Sequence, residues 1–197
     1  FCTKHRQTQM ISKELISPKS ITVTGASNDL LTPGGNLIKN LTVSNYQGSI
    51  FAVSGSAELI QGLNSYSSLQ DIPDTDIAFI AEDDGDTLSK IEILCQKKSC
   101  KAIVVFPDFI SSSRMSPQEA LESTREICNK FQVTLIGPNS SGIALENYCG
   151  TYTNTRISRG GSVDIISSSR TTISYLVEAA PRYGVSIARI FSVGYSP

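Results

Sequence analysis

Small residues at two strand ends carry the first chemical signal in the chain. Gly25-Ala26-Ser27-Asn28 follows a short β-branched run over residues 21–24, and Pro33-Gly34-Gly35 opens an apolar series at helical spacing, Leu37, Ile38 and Leu41. A loop without bulky side chains lets backbone N–H groups approach a phosphate. The free N–H groups and dipole of the following helix favour the anion. The G-x-G-x-x-G spacing of a dinucleotide fingerprint is absent, so a tight strand-to-helix turn without a ligand is the competing reading. Val53-Ser54-Gly55-Ser56 repeats the small-residue ending after a second apolar run, residues 50–53.

Carboxylates carry the second signal. Glu82, Asp83, Asp84 and Asp86 follow an apolar run at 77–81, and Asp108 follows another at 102–106. The carboxyl ends of strands in an open α/β sheet form the ligand crevice, where such oxygens can hold Mg²⁺. They would repel phosphates unless a cation intervened. The same acids precede the helical pattern of residues 87–95, so capping by negative charge at a helix start is the other reading. Ser167-Ser168-Ser169-Arg170 is a further strand-to-helix junction, with Arg170 facing an anion or solvent. The single histidine, His5, lies in a polar leader (residues 1–9) and reads as an exposed tail side chain. No Ser-His-Asp arrangement is possible with it, and no catalytic residue or metal site is assigned.

These residues require strands alternating with helices. The pattern predicts strands at 21–24, 50–53, 77–81, 102–106 and 133–136, with helices after 33, over 87–95 and from 116 to about 131. Residues 58–62 lead to a weak segment around Tyr66. Ser116-Pro117-Gln118-Glu119 is a capping box with proline at the first helical position. Ala120, Leu121, Thr124, Ile127 and Cys128 should face inward. Five alternations argue an α/β fold with a doubly wound parallel sheet. Residues 148–161 read as a linker, with Tyr148, Tyr152, Arg156 and Arg159 on its surface. A strand, helix and strand then restart over 163–193, a unit too small to cover its own sheet.

The chain has 197 residues, 40% hydrophobic and 18% charged, enough to bury a core. A net charge of -1 argues against nucleic acid or an anionic membrane as partner. No apolar run approaches the ~20 residues that span a bilayer. Cys2, Cys95, Cys100, Cys128 and Cys149 form no C-x-x-C pair or zinc pattern and fit a reducing, cytoplasmic setting. Cys149 has no base nearby in sequence and reads as an inert thiol.

Four motifs, residues 17–27, 34–41, Ile136-Gly-Pro-Asn-Ser-Ser-Gly142 and Phe191-Ser-Val-Gly194, resemble the NDP-forming acyl-CoA synthetases in order and spacing. That family includes ADP-forming acetate–CoA ligase and the α subunit of succinyl-CoA synthetase. The resemblance implies a Rossmann-like CoA-binding domain over residues 10–150, then the first β-α-β of a truncated flavodoxin-like ligase domain over 160–197. It implies coenzyme A on the loop of Gly25, Ala26, Ser27, Asn28, Gly34 and Gly35. Val53, Ser54, Gly55 and Ser56 would lie beside the nucleotide, Glu82, Asp83 and Asp84 against the CoA, and Asn139 and Ser140 near the pantetheine end.

The chain departs from that family where Val-Asn-Pro-Lys is usual and Val53-Ser54-Gly55-Ser56 stands, which removes a basic phosphate partner. It also has Ser140 where cysteine is common, and Ser167-Ser-Ser-Arg170 where Ser-Gly-Ser-Gly is usual. The family's phosphohistidine would fall past Pro197, so the chain alone is expected to be inactive. The remaining ligase domains or a β-type subunit would complete it, and a homo-oligomer is the other way to cover the half-built unit. Two alternatives stand: a diverged, non-catalytic nucleotide-binding or subunit-interaction module, and a metal-dependent enzyme built on the acidic cluster.

Overall fold

The computed structural model describes residues 12–55, 58–153, 155 and 157–195. His5, the polar leader, Ser56 and Arg156 lie outside the described residues. After a one-turn helix, α1 (Lys13–Ile16), the chain enters β1 (Ser20–Thr24), α2 (Pro33–Val43) and β2 (Ser49–Val53). A hairpin follows, β3 (Leu59–Ile60) and β4 (Leu63–Tyr66), then β5 (Ile77–Ile80), α3 (Thr87–Lys97), β6 (Ala102–Val105), α4 (Pro117–Phe131) and β7 (Thr134–Ile136). These strands form one sheet in the order β3-β4-β2-β1-β5-β6-β7, parallel except for β3 against β4.

Both faces of this sheet are covered, which is why β5 and β6 are apolar at every position and buried throughout. On one face α2 packs Leu37, Ile38 and Leu41 against Ile21, Val23 and Phe79. On the other, Leu88, Ile91 and Leu94 of α3 and Ala120 and Cys128 of α4 cover Ala78, Ile80, Ile103 and Val105. Each such aliphatic side chain contributes about 1.5–3 kcal/mol on burial. The expected capping box of α4 is present: the Ser116 hydroxyl accepts from the Glu119 N–H, and the Glu119 carboxylate accepts from the Ser116 N–H.

Two expectations are corrected. The alternation is not fivefold, because the link from β2 to β5 is the β3–β4 hairpin rather than a helix. Ile60 pairs with Leu63 across a two-residue turn, Gln61-Gly62, in which both residues have positive φ (49° and 87°). That is type I′ geometry, and glycine supplies the second position at little cost. The second correction concerns the linker. Gly142–Leu145 and Tyr148–Thr151 are strands β8 and β9, paired as a hairpin. Tyr148 is fully buried, its hydroxyl donating to the Leu15 carbonyl at 2.7 Å and its ring meeting Tyr46 edge-on at 6.3 Å.

The β8–β9 hairpin serves two layers. Ile143, Leu145 and Tyr148 complete the core on the α2 side of the large sheet. The same strands belong to a second, four-stranded sheet of order β10-β11-β8-β9. Its other members are β10 (Val163–Ser167) and β11 (Ile187–Ser192), which pair in parallel around α5 (Arg170–Ala179) and a 3₁₀ turn. The expected β-α-β restart is therefore present. It rests on a hairpin that begins at Gly142, well before residue 160. Among the described residues, no helix is long and apolar enough to cross a membrane.

Candidate functional site

Strand β1 lies between β2 and β5, so the chain leaves it in one direction and returns on its other side. In such a sheet the crevice beyond the strand ends at this point is the natural ligand position. The loop from Gly25 to Thr32 occupies it. Gly25 has φ +70°, and a Cβ there would stand 2.6 Å from Glu82 Cβ. Gly34, in the first turn of α2, lies on the Gly25 carbonyl, where a Cβ would stand 1.9 Å from the oxygen. A Cβ at Gly35 would meet the Asp29 carbonyl in the same way, at 2.0 Å. The glycines thus allow backbone to lie on backbone, and the loop packs directly on the helix start.

Local hydrogen bonds then fix the loop. Thr32 caps α2 by accepting from the Gly35 N–H at 3.1 Å. Asp29 accepts from the Leu31 N–H at 2.9 Å, and the Ala26 N–H reaches the Val53 carbonyl at 3.1 Å. The N–H groups of Ser27, Asn28 and Gly34 take no acceptor among the described residues. Unpaired backbone donors at a strand-to-helix turn can hold a phosphate or diphosphate oxygen. The hairpin tip lies over this loop. Asn28 Nδ2 donates to the Leu59 carbonyl at 2.9 Å, and Gln61 Nε2 donates to the carbonyls of Ser27 and Gly35 at 2.9 and 2.7 Å.

The acidic segment behaves differently from either sequence reading. Its carboxylates do not cap α3: Asp86, at the N-cap, makes no cap bond, and Ser111 instead accepts from the Thr87 and Leu88 N–H groups. Asp83 accepts from the Gly85 N–H within its own turn and stays exposed. Glu82 and Asp84 converge on Lys90, at 2.6 and 2.9 Å. Burial raises the affinity of Asp84 for its proton. The Lys90 ammonium and two backbone N–H groups outweigh that and hold the carboxyl below its ordinary value of 3.8. Among the described residues, no group of three or more His, Cys, Asp or Glu is placed to hold a metal.

Lys90 is the residue that sequence reasoning missed. A signal was available: a lysine in the second turn from a helix start runs against the dipole. That placement suggests an ionic partner, and two acids lie six and eight residues upstream. Lys90 is a cation beside the crevice, but two carboxylates share it.

The remaining site residues separate. Val53 and Glu82 join the glycine loop. The Ser54 N–H goes to the Tyr66 carbonyl at 2.9 Å, and Gly55 faces open space. Ser140 is fully buried. Its hydroxyl donates to the Ser192 carbonyl at 2.5 Å and accepts from the Gly142 N–H at 2.9 Å, so it stitches β11 to the β7–β8 loop. Asn139 lies on a separate cleft of about 600 Å³ with Ser169, Arg170 and Gly194, and its Oδ1 is buried without a partner. Arg170 reaches Asp108 at 2.6 Å and the Tyr152 hydroxyl at 3.1 Å. Tyr152 in turn packs on Phe106 with ring centroids 4.8 Å apart, so neither it nor Tyr148 is linker surface.

Comparison with known proteins identifies the family and the fold. The CoA binding domain family (CoA_binding_2) matches residues 19–146. ADP-forming acetate–CoA ligase II of Archaeoglobus fulgidus is 29% identical over 160 residues, 80% of this chain and 24% of that protein. The α subunit of ADP-forming acetate–CoA ligase II of Pyrococcus furiosus is 28% identical, over 90% of this chain and 39% of the subunit. A structure of the dinucleotide-forming acetyl-coenzyme A synthetase 1 of Ca. Korarchaeum cryptofilum, with phosphate and ADP, superposes with a TM-score of 0.79. It is 26% identical and covers 92% of this chain and 39% of that one. The chain thus spans between about a quarter and two fifths of the relatives it resembles. With its Rossmann-like parallel sheet and its glycine loop at the switch point, the chain belongs to the CoA binding domain family.

Proposed function

We propose that this chain is the CoA-docking portion of an acid–CoA ligase of the ADP-forming type, with the CoA diphosphate on the loop from Gly25 to Gly34. One observation carries this reading: Ser27, Asn28 and Gly34 present three unpaired N–H groups at the switch point of the sheet. The loop's work is to hold and orient the nucleotide end of the thiol substrate. Phosphate transfer and recognition of the acid belong to other parts of the ligase. Residues 160–197 are the start of a further ligase domain in this reading. The exposed apolar side chains Ile166, Tyr175 and Tyr183 on β10, α5 and the 3₁₀ turn suit a covering domain, a β-type subunit or a second copy of the chain. Mg²⁺ would enter with the nucleotide-handling parts rather than on the Glu82–Asp84 segment, which is neutralised in part by Lys90.

A second reading is favoured by Glu82, which sets a carboxylate against Gly25 where a phosphate would approach. In it the chain is a diverged module that no longer binds CoA and serves subunit contacts. Calorimetric titration of the chain with CoA and with 3′-dephospho-CoA separates the two. Micromolar binding of CoA supports docking. No heat and no thermal shift at millimolar CoA overturns it in favour of the module.

A further inference from the structure

We propose that Gln61, at the tip of the β3–β4 hairpin, is a positioning residue that presets the Ser27–Asn28 peptide for a diphosphate; this rests on the CoA reading above. Gln61 is an odd choice for its turn. It has φ +49° at the first central position of a type I′ turn, where asparagine, aspartate or glycine is favoured. Turn chemistry therefore does not account for it.

Its bonds do. Both donors of the side-chain amide go to backbone carbonyls on the two sides of the loop, Ser27 at 2.9 Å and Gly35 at 2.7 Å. Its own N–H donates to Asn28 Oδ1 at 2.8 Å, and the Asn28 amide returns a bond to Leu59. The loop and the hairpin tip are thus joined by four hydrogen bonds between segments far apart in sequence.

The consequence follows from peptide geometry. In a trans peptide the C=O of one residue and the N–H of the next point in opposite directions. Holding the Ser27 carbonyl on the hairpin side therefore turns the Asn28 N–H to the other side. That N–H takes no acceptor among the described residues. Gln61 fixes in advance the orientation that an incoming oxyanion needs, so binding does not have to order the loop. No apolar residue of the same size could do this, because the carbonyls require donors.

The test uses two variants of the chain. Gln61→Met keeps the length of the side chain and removes both donors. Gln61→Gly also removes them but relieves the positive φ, giving a Gly-Gly turn that suits the hairpin. The expected result is a roughly tenfold rise in Kd for CoA in both variants, with the same factor for 3′-dephospho-CoA, since both ligands carry the diphosphate. The Asn28 amide should also show faster backbone motion by ¹⁵N relaxation in the ligand-free variants. A merely structural role predicts that Gln61→Gly, with its better turn, binds as the wild type does. Wild-type binding of CoA with unchanged Kd in Gln61→Gly overturns the positioning role and leaves CoA docking standing. Failure of the wild type itself to bind CoA overturns the docking reading, and the positioning role with it.

Discussion

Arg170 Nη2 lies 2.6 Å from Asp108 Oδ1, so the first residue of α5, beside the small sheet, is tied to the loop after β6 of the large one. The other terminal nitrogen of the guanidinium, Nη1, donates to the hydroxyl of Tyr152, whose ring packs on Phe106. A partly exposed pair of this kind is worth only about 0.5–1 kcal/mol. Arg170→Ala is expected to lower the melting temperature by about 1–4 °C for a chain of this size. The difference from wild type should shrink in 1 M salt. Arg170→Lys should not restore the loss, because an ammonium does not span both partners as a planar fork does. Melting curves at two salt concentrations check all three.

The carboxylate at Glu82 faces the glycine loop and shares Lys90 with Asp84. Glu82→Gln removes a negative charge beside the proposed phosphate position and frees Lys90 from one of its two acids. Its expected effect is to tighten CoA binding by about threefold to tenfold at low salt, given Coulomb energies near 1 kcal/mol at a partly exposed site. Lys90→Met should weaken binding by a similar factor. Calorimetric Kd values for the two variants carry opposite signs in this account.

Asp84 and Cys100 each contribute to pH dependence, at opposite ends of the range. The Asp84 carboxyl is held below 3.8 in the folded chain, so its contribution is present above that value and is lost as pH falls through the folded pKa. The contribution is small because Asp84 is half exposed, and Lys90→Met should return the carboxyl toward its ordinary range in an NMR titration. Burial pushes the Cys100 thiol from 9.0 up to about 12, and its Sγ donates to the Ala102 carbonyl at 3.1 Å. A raised thiol contributes fully below pH 9. Its share of the stability should then fall by about 1.4 kcal/mol per pH unit as pH rises from 9 toward 12. Urea unfolding between pH 8 and 10.5 measures it. Cys100→Ala should make the slope shallower by that amount. It should leave the part due to Tyr46, Tyr148 and Cys149, whose ionisations burial also pushes up, and to Cys128, raised by its bond with Cys95 and by burial.

Much of the frame was legible because its signals are local. The capping box at Ser116 and Glu119, the β-branched run of β1 and the small residues after it each act within a few residues. What was not legible depends on distant partners. The β3–β4 hairpin looked like a weak segment because its turn carries Gln61, a residue chosen for carbonyls more than 25 positions away. Tyr148 looked like linker surface because its partner, Leu15, lies 133 positions upstream. The resemblance put Ser140 near the pantetheine end, and its hydroxyl bond to the Ser192 carbonyl, 52 positions on, could not be read from the motif. The acids after β5 looked like caps because Ser111, which does the capping, comes from another loop.

Gly34 is the position least able to accept a side chain. A Cβ there would stand 1.9 Å from the Gly25 carbonyl oxygen, a backbone atom that cannot swing away. Gly34→Ala must separate the loop from α2 or fail to fold. Its expected outcome is loss of several kcal/mol of stability, beyond the usual range for a surface change, with no measurable CoA binding. Denaturant unfolding and CoA titration read the two effects separately.

Chemical-shift mapping of CoA on the ¹⁵N-labelled chain shows whether the nucleotide docks on the loop from Gly25 to Gly34. CoA docked on the glycine loop should give the largest amide shifts at Ser27, Asn28 and Gly34, with smaller ones at Val53 and Ser54. Shifts confined to the Asn139–Arg170 cleft, or a spectrum unchanged at millimolar CoA, would contradict it.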